Sequence, residues 1–152
     1  MPFRLTGLSP EPFRHLFGLP DEALAPLGVL RLAADDSAPC RISLADASVG
    51  EPVLLLHFEH QPAPSLYRSS GPIFVRESAG EATVTESIPD SFRKRTYSVR
   101  AYNEAGLMVD AEVCEGTGLE SRIGLMFARP DVAYIHLHHA RRGCFSCRVD
   151  RL

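Results

Sequence analysis

The segment from residue 97 to residue 113 constrains the fold more than any other part of the chain. Residues 97–102 and 107–113 each alternate apolar and polar side chains, the pattern of a strand with one buried face. The four residues between them read Asn-Glu-Ala-Gly, and asparagine and glycine are frequent turn residues. The segment therefore predicts a β-hairpin within an antiparallel sheet.

Three further regions have strand character. Residues 132–138 and 144–150 predict a second hairpin with its turn at residues 139–143. Residues 53–60 are rich in valine and leucine and are bounded by glycine and proline turns, which favours a buried central strand. Residues 73–76 predict a compact strand after a proline-rich loop.

Helix-start signals occur at three places. Asp21 is predicted to cap a short helical turn through Leu24. Ser9 followed by Pro10 predicts a short helix to about residue 17, with the serine hydroxyl as its cap. Thr117 and Glu120 have the spacing of a capping box and predict a longer helix that ends near residue 129. Its apolar residues share one helix face: Leu119, Ile123, Met126 and Phe127.

These elements predict one α+β domain over residues 1–152, with a largely antiparallel β-sheet and two or three short helices packed on one side. A length of 152 residues and an apolar content of 45% are sufficient for one hydrophobic core.

The net charge of -3 argues against nucleic acid and anionic membrane partners. The absence of a long apolar run and the four cysteines, which predict free thiols, favour a cytoplasmic protein. The oligomeric state is left open.

Histidines at alternate positions of a strand are the first candidate for chemistry. Tyr134, His136 and His138 share one face of their predicted strand. His57 lies on one face of the strand at residues 53–60, and His60 lies at its end. If the two strands were neighbours, these histidines and the carboxylate of Glu59, which shares a face with His57, could converge on zinc or iron. The ligands would then be His57, His136 and His138. The alternative is that the histidines are structural and hydrogen-bonded, and the sequence requires no cofactor.

The two C-terminal cysteines form a Cys-x-x-Cys pattern, which occurs in redox and zinc sites. Strand alternation groups Phe145, Cys147 and Val149 on one face and places Cys144 on the other. Cys147 is therefore predicted to be a core residue. Cys144 is a candidate nucleophile with a histidine as base, and the alternative is an inert, partly buried thiol.

Arginines near the histidines predict recognition of an anion. Arg76 and Arg100 lie in strands, and Arg141 and Arg142 lie in the turn beside the histidines. Together with Tyr134 they are candidates for binding a small carboxylate or phosphate ligand. The alternative is that they are solvated or form ion pairs inside the protein, with partners among Glu77, Glu104 and Asp110.

Several segments together resemble a bacterial protein family known as domain of unknown function 1203 (DUF1203). The segments span nearly the whole chain and begin at residues 3, 39, 59, 70, 100 and 133. The resemblance implies a small cytoplasmic protein and implies no activity. It covers His60, Gly71, Pro72, Arg76, Arg100, His136, His138, Arg141, Arg142, Gly143 and Cys144. The chain departs from the family pattern at His139, where asparagine is expected, and at Cys147, where a small apolar residue is expected.

Two functions follow as hypotheses. In the first, the protein binds or transforms a small anionic metabolite, with His60, His136, His138 and Cys144 as catalytic groups or ligands and the arginines holding the charge. In the second, it is a non-catalytic interaction or structural module whose loop at residues 61–71 contacts a partner protein. The two differ in whether the histidines and arginines converge on an accessible site or are dispersed and paired internally.

Overall fold

The computed structural model describes residues 2–152, whose strands form two antiparallel sheets. In chain order these strands are β1 (Phe3–Thr6), β2 (Leu30–Ala33), β3 (Pro52–Gln61), β4 (Ser69–Arg76), β5 (Val84–Thr85), β6 (Thr96–Tyr102), β7 (Met108–Glu115), β8 (Tyr134–His139) and β9 (Phe145–Arg151). The larger sheet has the order β5-β1-β9-β8-β6-β7, and the smaller sheet has the order β2-β3-β4.

Both predicted hairpins are confirmed, since β6 pairs with β7 and β8 pairs with β9. The strand at residues 53–60 is also confirmed as central, because β3 lies between β2 and β4. The helices are short: α1 (Asp21–Leu24), α2 (Asp90–Arg93) and α3 (Leu119–Phe127). Short helices and mainly antiparallel strands confirm the α+β class.

The apolar face of α3 packs on one face of the larger sheet. The four apolar residues predicted to share a helix face are all buried in the main core. Ile135 and Leu137 of β8 belong to the same core, together with Cys147 and Val149 of β9. This packing leaves the opposite face of β8, which carries His136 and His138, for contacts with the smaller sheet.

The predicted start of α3 is wrong. Thr117 lies in a 3-10 turn at Gly116–Gly118, and α3 begins at Leu119 with no side-chain cap hydrogen bond at Gly118. Gly116 explains the difference, because its backbone NH donates to the carbonyl oxygen of Arg95 at 2.7 Å. A Cβ built at Gly116 would lie 1.9 Å from the carbonyl oxygen of Phe92, so only glycine permits this close approach.

The predicted helix after Ser9 is also wrong, because the segment forms turns and a 3-10 helix at Arg14–Leu16. The Ser9 hydroxyl accepts the backbone NH of Glu11 at 3.2 Å, which stabilises a turn. Phe13 and Leu16 are three residues apart and both are buried in the core of the smaller sheet. That spacing places them on one side of a 3-10 turn.

A β-bulge at Ser146 reverses the side-chain alternation of β9. Leu137 pairs with Cys147, whereas His138 pairs with Phe145, so β9 has one extra residue between the two pairs. Paired residues share a sheet face, which puts Phe145 on the histidine face and Cys147 on the core face. The prediction that Phe145 and Cys147 share a face is therefore wrong, while the core position of Cys147 is confirmed at 1% exposure.

The helices of residues 2–152 are too short or too polar to cross a membrane.

Candidate functional site

Three histidines meet where the two sheets face each other. His136 and His138 extend from β8 of the larger sheet, and His60 extends from the end of β3 in the smaller sheet. The ring centroids of His60 lie 6.4 Å from His136 and 5.0 Å from His138. One ring nitrogen from each of the three side chains lies within 4.8 Å of the others. We call these residues the histidine cluster.

A second register shift explains why His60 reaches the cluster. The pairing of β3 with β4 is irregular between Phe58 and Gln61, so His60 lies in a bulged segment. Bulges redirect a side chain relative to the regular pleat. β3 and β8 belong to different sheets, so they are not hydrogen-bonded neighbours and their side chains meet between the two sheets.

His57, the predicted third metal ligand on β3, lies outside the cluster. It is exposed, and its Nε2 lies 2.8 Å from the Ser70 hydroxyl oxygen. Glu59 is exposed as well and forms an ion pair with Arg68 at 2.9 Å. The structure thus groups His60, and not His57, with His136 and His138.

Aromatic side chains enclose the cluster. Phe145, placed on this face by the bulge, stacks on His60 with a centroid distance of 5.2 Å and an interplanar angle of 5°. Tyr134 lies beside His136 at 5.3 Å, and its hydroxyl accepts from Gln61 Nε2 at 3.0 Å. The rings of His136 and His138 are 3% and 1% exposed, and half-buried His60 is the accessible member.

The hydrogen bonding of His138 fixes its tautomer. Its Nδ1 lies 2.8 Å from the Gly143 carbonyl oxygen, which can only accept, so Nδ1 carries the hydrogen. In the neutral ring Nε2 then has a free lone pair. Within the described chain, Nε2 of His138, Nδ1 of His136 and Nδ1 of His60 are buried without a hydrogen-bond partner.

Burial keeps these histidines neutral near pH 7. It lowers the pKa of His136 to about 3 and that of His138 to about 4. Burial also lowers the pKa of His60, and the positive charge of Arg100 lowers it further. The charged side chains that shift these pKa values are themselves basic, Arg100 among them.

Arg100 brings a positive charge to the cluster. It is directly opposite His136 in the pairing of β6 with β8, so both side chains are on the same face. Its Nε donates to the Ser98 hydroxyl at 3.1 Å, and it forms no ion pair with any carboxylate of residues 2–152. Arg100 is half-buried, and Ala111, opposite it on β7, is small and exposed. The guanidinium group is therefore accessible.

The other predicted arginines lie elsewhere. Arg76 forms an ion pair with Glu51 at 2.7 Å, which raises the pKa of Arg76 and lowers that of Glu51 to about 2. This internal pair uses a partner that the sequence did not indicate. Arg141 and Arg142 are exposed in the turn between β8 and β9.

Of the two C-terminal cysteines, only Cys144 is partly exposed. Cys147 is fully buried, and burial raises the pKa of its thiol. The role of Cys144 as a nucleophile remains a prediction.

His139, the departure from the family pattern, lies at the far end of β8 with its ring centroid 5.2 Å from that of Tyr97. Burial lowers its pKa to about 3.

Arg41 is a buried charged residue near the cluster that sequence reasoning missed. It is 2% exposed, and its Nε donates to the Phe145 carbonyl oxygen at 2.7 Å. Its Nη1 donates to the Pro39 carbonyl oxygen at 2.6 Å. The available signal was an arginine directly between Cys40 and Ile42, two residues that the fold buries. Arg41 thereby connects the loop before β3 to the first residue of β9.

Comparison with known proteins gives one match. The family model described as Protein of unknown function (DUF1203) matches residues 37–151. No curated protein and no solved structure matches the chain. The matched range contains the histidine cluster and Arg100, and it covers well over half of the sequence. The chain therefore belongs to the DUF1203 family.

Proposed function

We propose that the protein is a binding protein or enzyme for a small anionic metabolite, which binds at Arg100 and the histidine cluster. The observation that carries the proposal is the convergence of an arginine without a carboxylate partner, among residues 2–152, on three neutral imidazoles. Dispersed and internally paired groups would have favoured a structural role.

The charge of the site supports an anion as the ligand. A guanidinium group presents several NH donors in a planar fork that fits carboxylate and phosphate oxygens. Arg100 uses Nε for Ser98, and its terminal NH groups are not paired with a carboxylate of the described chain. An anion bound there would receive charge-assisted hydrogen bonds from Arg100.

The chemistry of the imidazoles limits their role. With pKa values of about 3 and 4, His136 and His138 are weak bases near pH 7. Such rings serve better as hydrogen-bond acceptors or ligands than as proton carriers. His60 is half-buried, so it is the cluster residue that a bound molecule would contact first.

We also propose a cytoplasmic location and no nucleic acid or membrane partner. The four cysteines are free thiols, which suits a reducing compartment. The net charge of -3 gives no electrostatic attraction to polyanions.

One observation favours the alternative function, a protein-interaction module. Leu66 is 96% exposed and Tyr67 is 41% exposed in the loop between β3 and β4. Exposed apolar side chains at a loop tip are common contact points. Unchanged anion binding in Arg100→Gln together with loss of a partner protein in Leu66→Ser would support this alternative.

The proposal is tested by titrating untagged protein with inorganic phosphate and with succinate in a calorimeter. We expect Arg100→Gln to weaken binding of the better probe by about tenfold or more, since a charge-assisted hydrogen bond contributes about 1.5–3 kcal/mol. The matched control is Arg4→Gln, which removes the same charge from an exposed position on β1. Equal binding by wild type and Arg100→Gln, or no binding of either probe, would overturn the proposal.

A further inference from the structure

We infer that His60, His136 and His138 bind one divalent transition metal ion of the zinc or iron(II) type. The inference rests on the proposed function in that the metal ion would complete the same site, with the anion at a remaining coordination position.

The candidate ligand atoms lie close to one another. The three candidate nitrogens lie within 4.8 Å of one another. Two nitrogens bound to one tetrahedral zinc ion at about 2.0–2.1 Å are about 3.3 Å apart. The widest nitrogen–nitrogen distance in the cluster must therefore shorten by up to about 1.5 Å when the ion binds. His60 permits this movement, because it is half-buried and lies in an irregular strand segment.

The hydrogen bonding of the rings is that of metal ligands. A metal-bound histidine usually donates its second NH to a carbonyl or carboxylate, which fixes the free nitrogen toward the ion. His138 has this arrangement, with Nδ1–H donating to Gly143 and Nε2 left free. Gly143 has a positive φ of 80°, so its carbonyl direction depends on a backbone conformation that glycine adopts most easily.

Each ring of the cluster also has a buried nitrogen without a hydrogen-bond partner in the described chain. A buried acceptor without a hydrogen bond costs roughly 1–3 kcal/mol. The cluster contains three such atoms, one on each ring, among the residues that the structure describes. Coordination of one ion would satisfy a lone pair on every ring. A purely structural cluster would be expected to pair these atoms with each other or with nearby hydroxyl groups.

The donor set indicates the class of metal. Three imidazoles without a carboxylate suit zinc, iron, nickel or copper and do not suit magnesium or calcium, which require oxygen ligands. Because the imidazoles are neutral, the metal charge would add to that of Arg100 with no acidic group in the cluster to offset it. That excess of positive charge explains why an anion would bind beside the metal.

Metal titration of untagged, chelator-treated protein tests the inference. We expect Co²⁺ to bind at about one ion per chain with the absorption of a tetrahedral or five-coordinate site, and Zn²⁺ to displace it. His60→Ala should weaken Co²⁺ binding by at least about tenfold to 100-fold, because loss of even a residue that only orients a metal ligand costs that much. The variant keeps both buried histidines. His57→Ala is the matched control, because it removes an exposed histidine from the same strand.

The outcomes separate this inference from the proposed function. Less than about a tenth of an ion per chain would overturn the inference, as would equal losses in His60→Ala and His57→Ala. Arg100→Gln should keep Co²⁺ binding. If that variant binds Co²⁺ and the wild type binds no phosphate or succinate, the proposed function fails and the metal site stands. Phosphate binding without Co²⁺ binding would overturn the metal site alone.

Discussion

The two faces of β8 are buried to a similar extent, but burial has opposite effects on the stability of the fold at the two faces. Ile135 and Leu137 are both 0% exposed, and His136 and His138 are 3% and 1% exposed. Burial of the apolar pair removes hydrocarbon from water and stabilises the fold by about 25 cal/mol per Å². Burial of the histidines removes nitrogen lone pairs from water without replacing all of their hydrogen bonds. One strand thus carries a face that stabilises the fold and a face that lowers its stability.

The unfavourably buried face of β8 is the one that points to function. A polar group buried at a cost is informative, because folding alone does not require it. The apolar face of β8 is explained by its packing against α3 and the rest of the main core. The histidine face gains an explanation when a ligand or metal ion supplies the missing interactions.

Acidification should have the largest effect on the free energy of unfolding, and this effect should come from the histidine face. Burial holds the folded-state pKa values of His136 and His138 below the ordinary histidine value of 6.5, so the unfolded chain binds protons first as the pH falls. Stability of the metal-free protein should therefore fall as the pH decreases from about 6.5, by about 1.4 kcal/mol per pH unit for each histidine. Over two pH units the pair accounts for about 5 kcal/mol. Urea unfolding at a series of pH values measures this.

A variant isolates the contribution of one ring. His139 lies outside the cluster and adds a similar pH dependence, since its pKa is also lowered by burial. His136→Leu should reduce the slope of the unfolding free energy by about 1.4 kcal/mol per pH unit. An unchanged slope would show that His136 is not buried and neutral in the folded protein.

Truncation of the apolar face should have the next largest effect. Leu137→Ala creates a cavity in the main core and should lower the free energy of unfolding by about 2–5 kcal/mol. The folded variant should still bind Co²⁺ with wild-type stoichiometry, because Leu137 points away from the cluster. Calorimetry on the folded variant checks this, and loss of Co²⁺ binding would contradict the separation of the two faces.

Substitution of the two C-terminal cysteines should change the free energy of unfolding by smaller amounts. Cys147→Ser places a hydroxyl group in the main core and should cost about 1–3 kcal/mol of unfolding free energy. Cys144→Ser changes a partly exposed thiol and should stay within about 0.5 kcal/mol of the wild type. Thiol labelling of the native protein should modify Cys144 and spare Cys147. Equal effects of the two substitutions would place both thiols in similar surroundings.

Local patterns explain what could be predicted from the sequence. The alternation at residues 97–102 and 107–113 specified a hairpin because strand period and turn chemistry are both short-range properties. Strand alternation likewise predicted, at residues 132–138, that Tyr134, His136 and His138 share one face, and the contacts between their rings confirm this prediction. It also identified Cys147 as a core residue.

Irregular and long-range features explain what could not be predicted. The bulge at Ser146 moves Phe145 to the histidine face, and a single extra residue leaves no clear mark in the strand pattern. His60 joins His136 through contact between two sheets, which no local pattern encodes. The ion pair between Arg76 and Glu51 could not be predicted from a local pattern either, because the two residues are 25 positions apart.

The position of β1 has a consequence for the order of events during synthesis. β1 is hydrogen-bonded to β9, with Phe3 opposite Arg151, so the larger sheet cannot close until the final hairpin has emerged from the ribosome. At a synthesis rate of about 5–20 residues per second, β9 is made on the order of ten seconds after β1. Pairing over such a sequence separation is slow, because the entropy of closing a long loop precedes any gain in contacts. The histidine cluster joins residues up to 78 positions apart, His60 and His138, so metal loading should follow synthesis and pairing of β8.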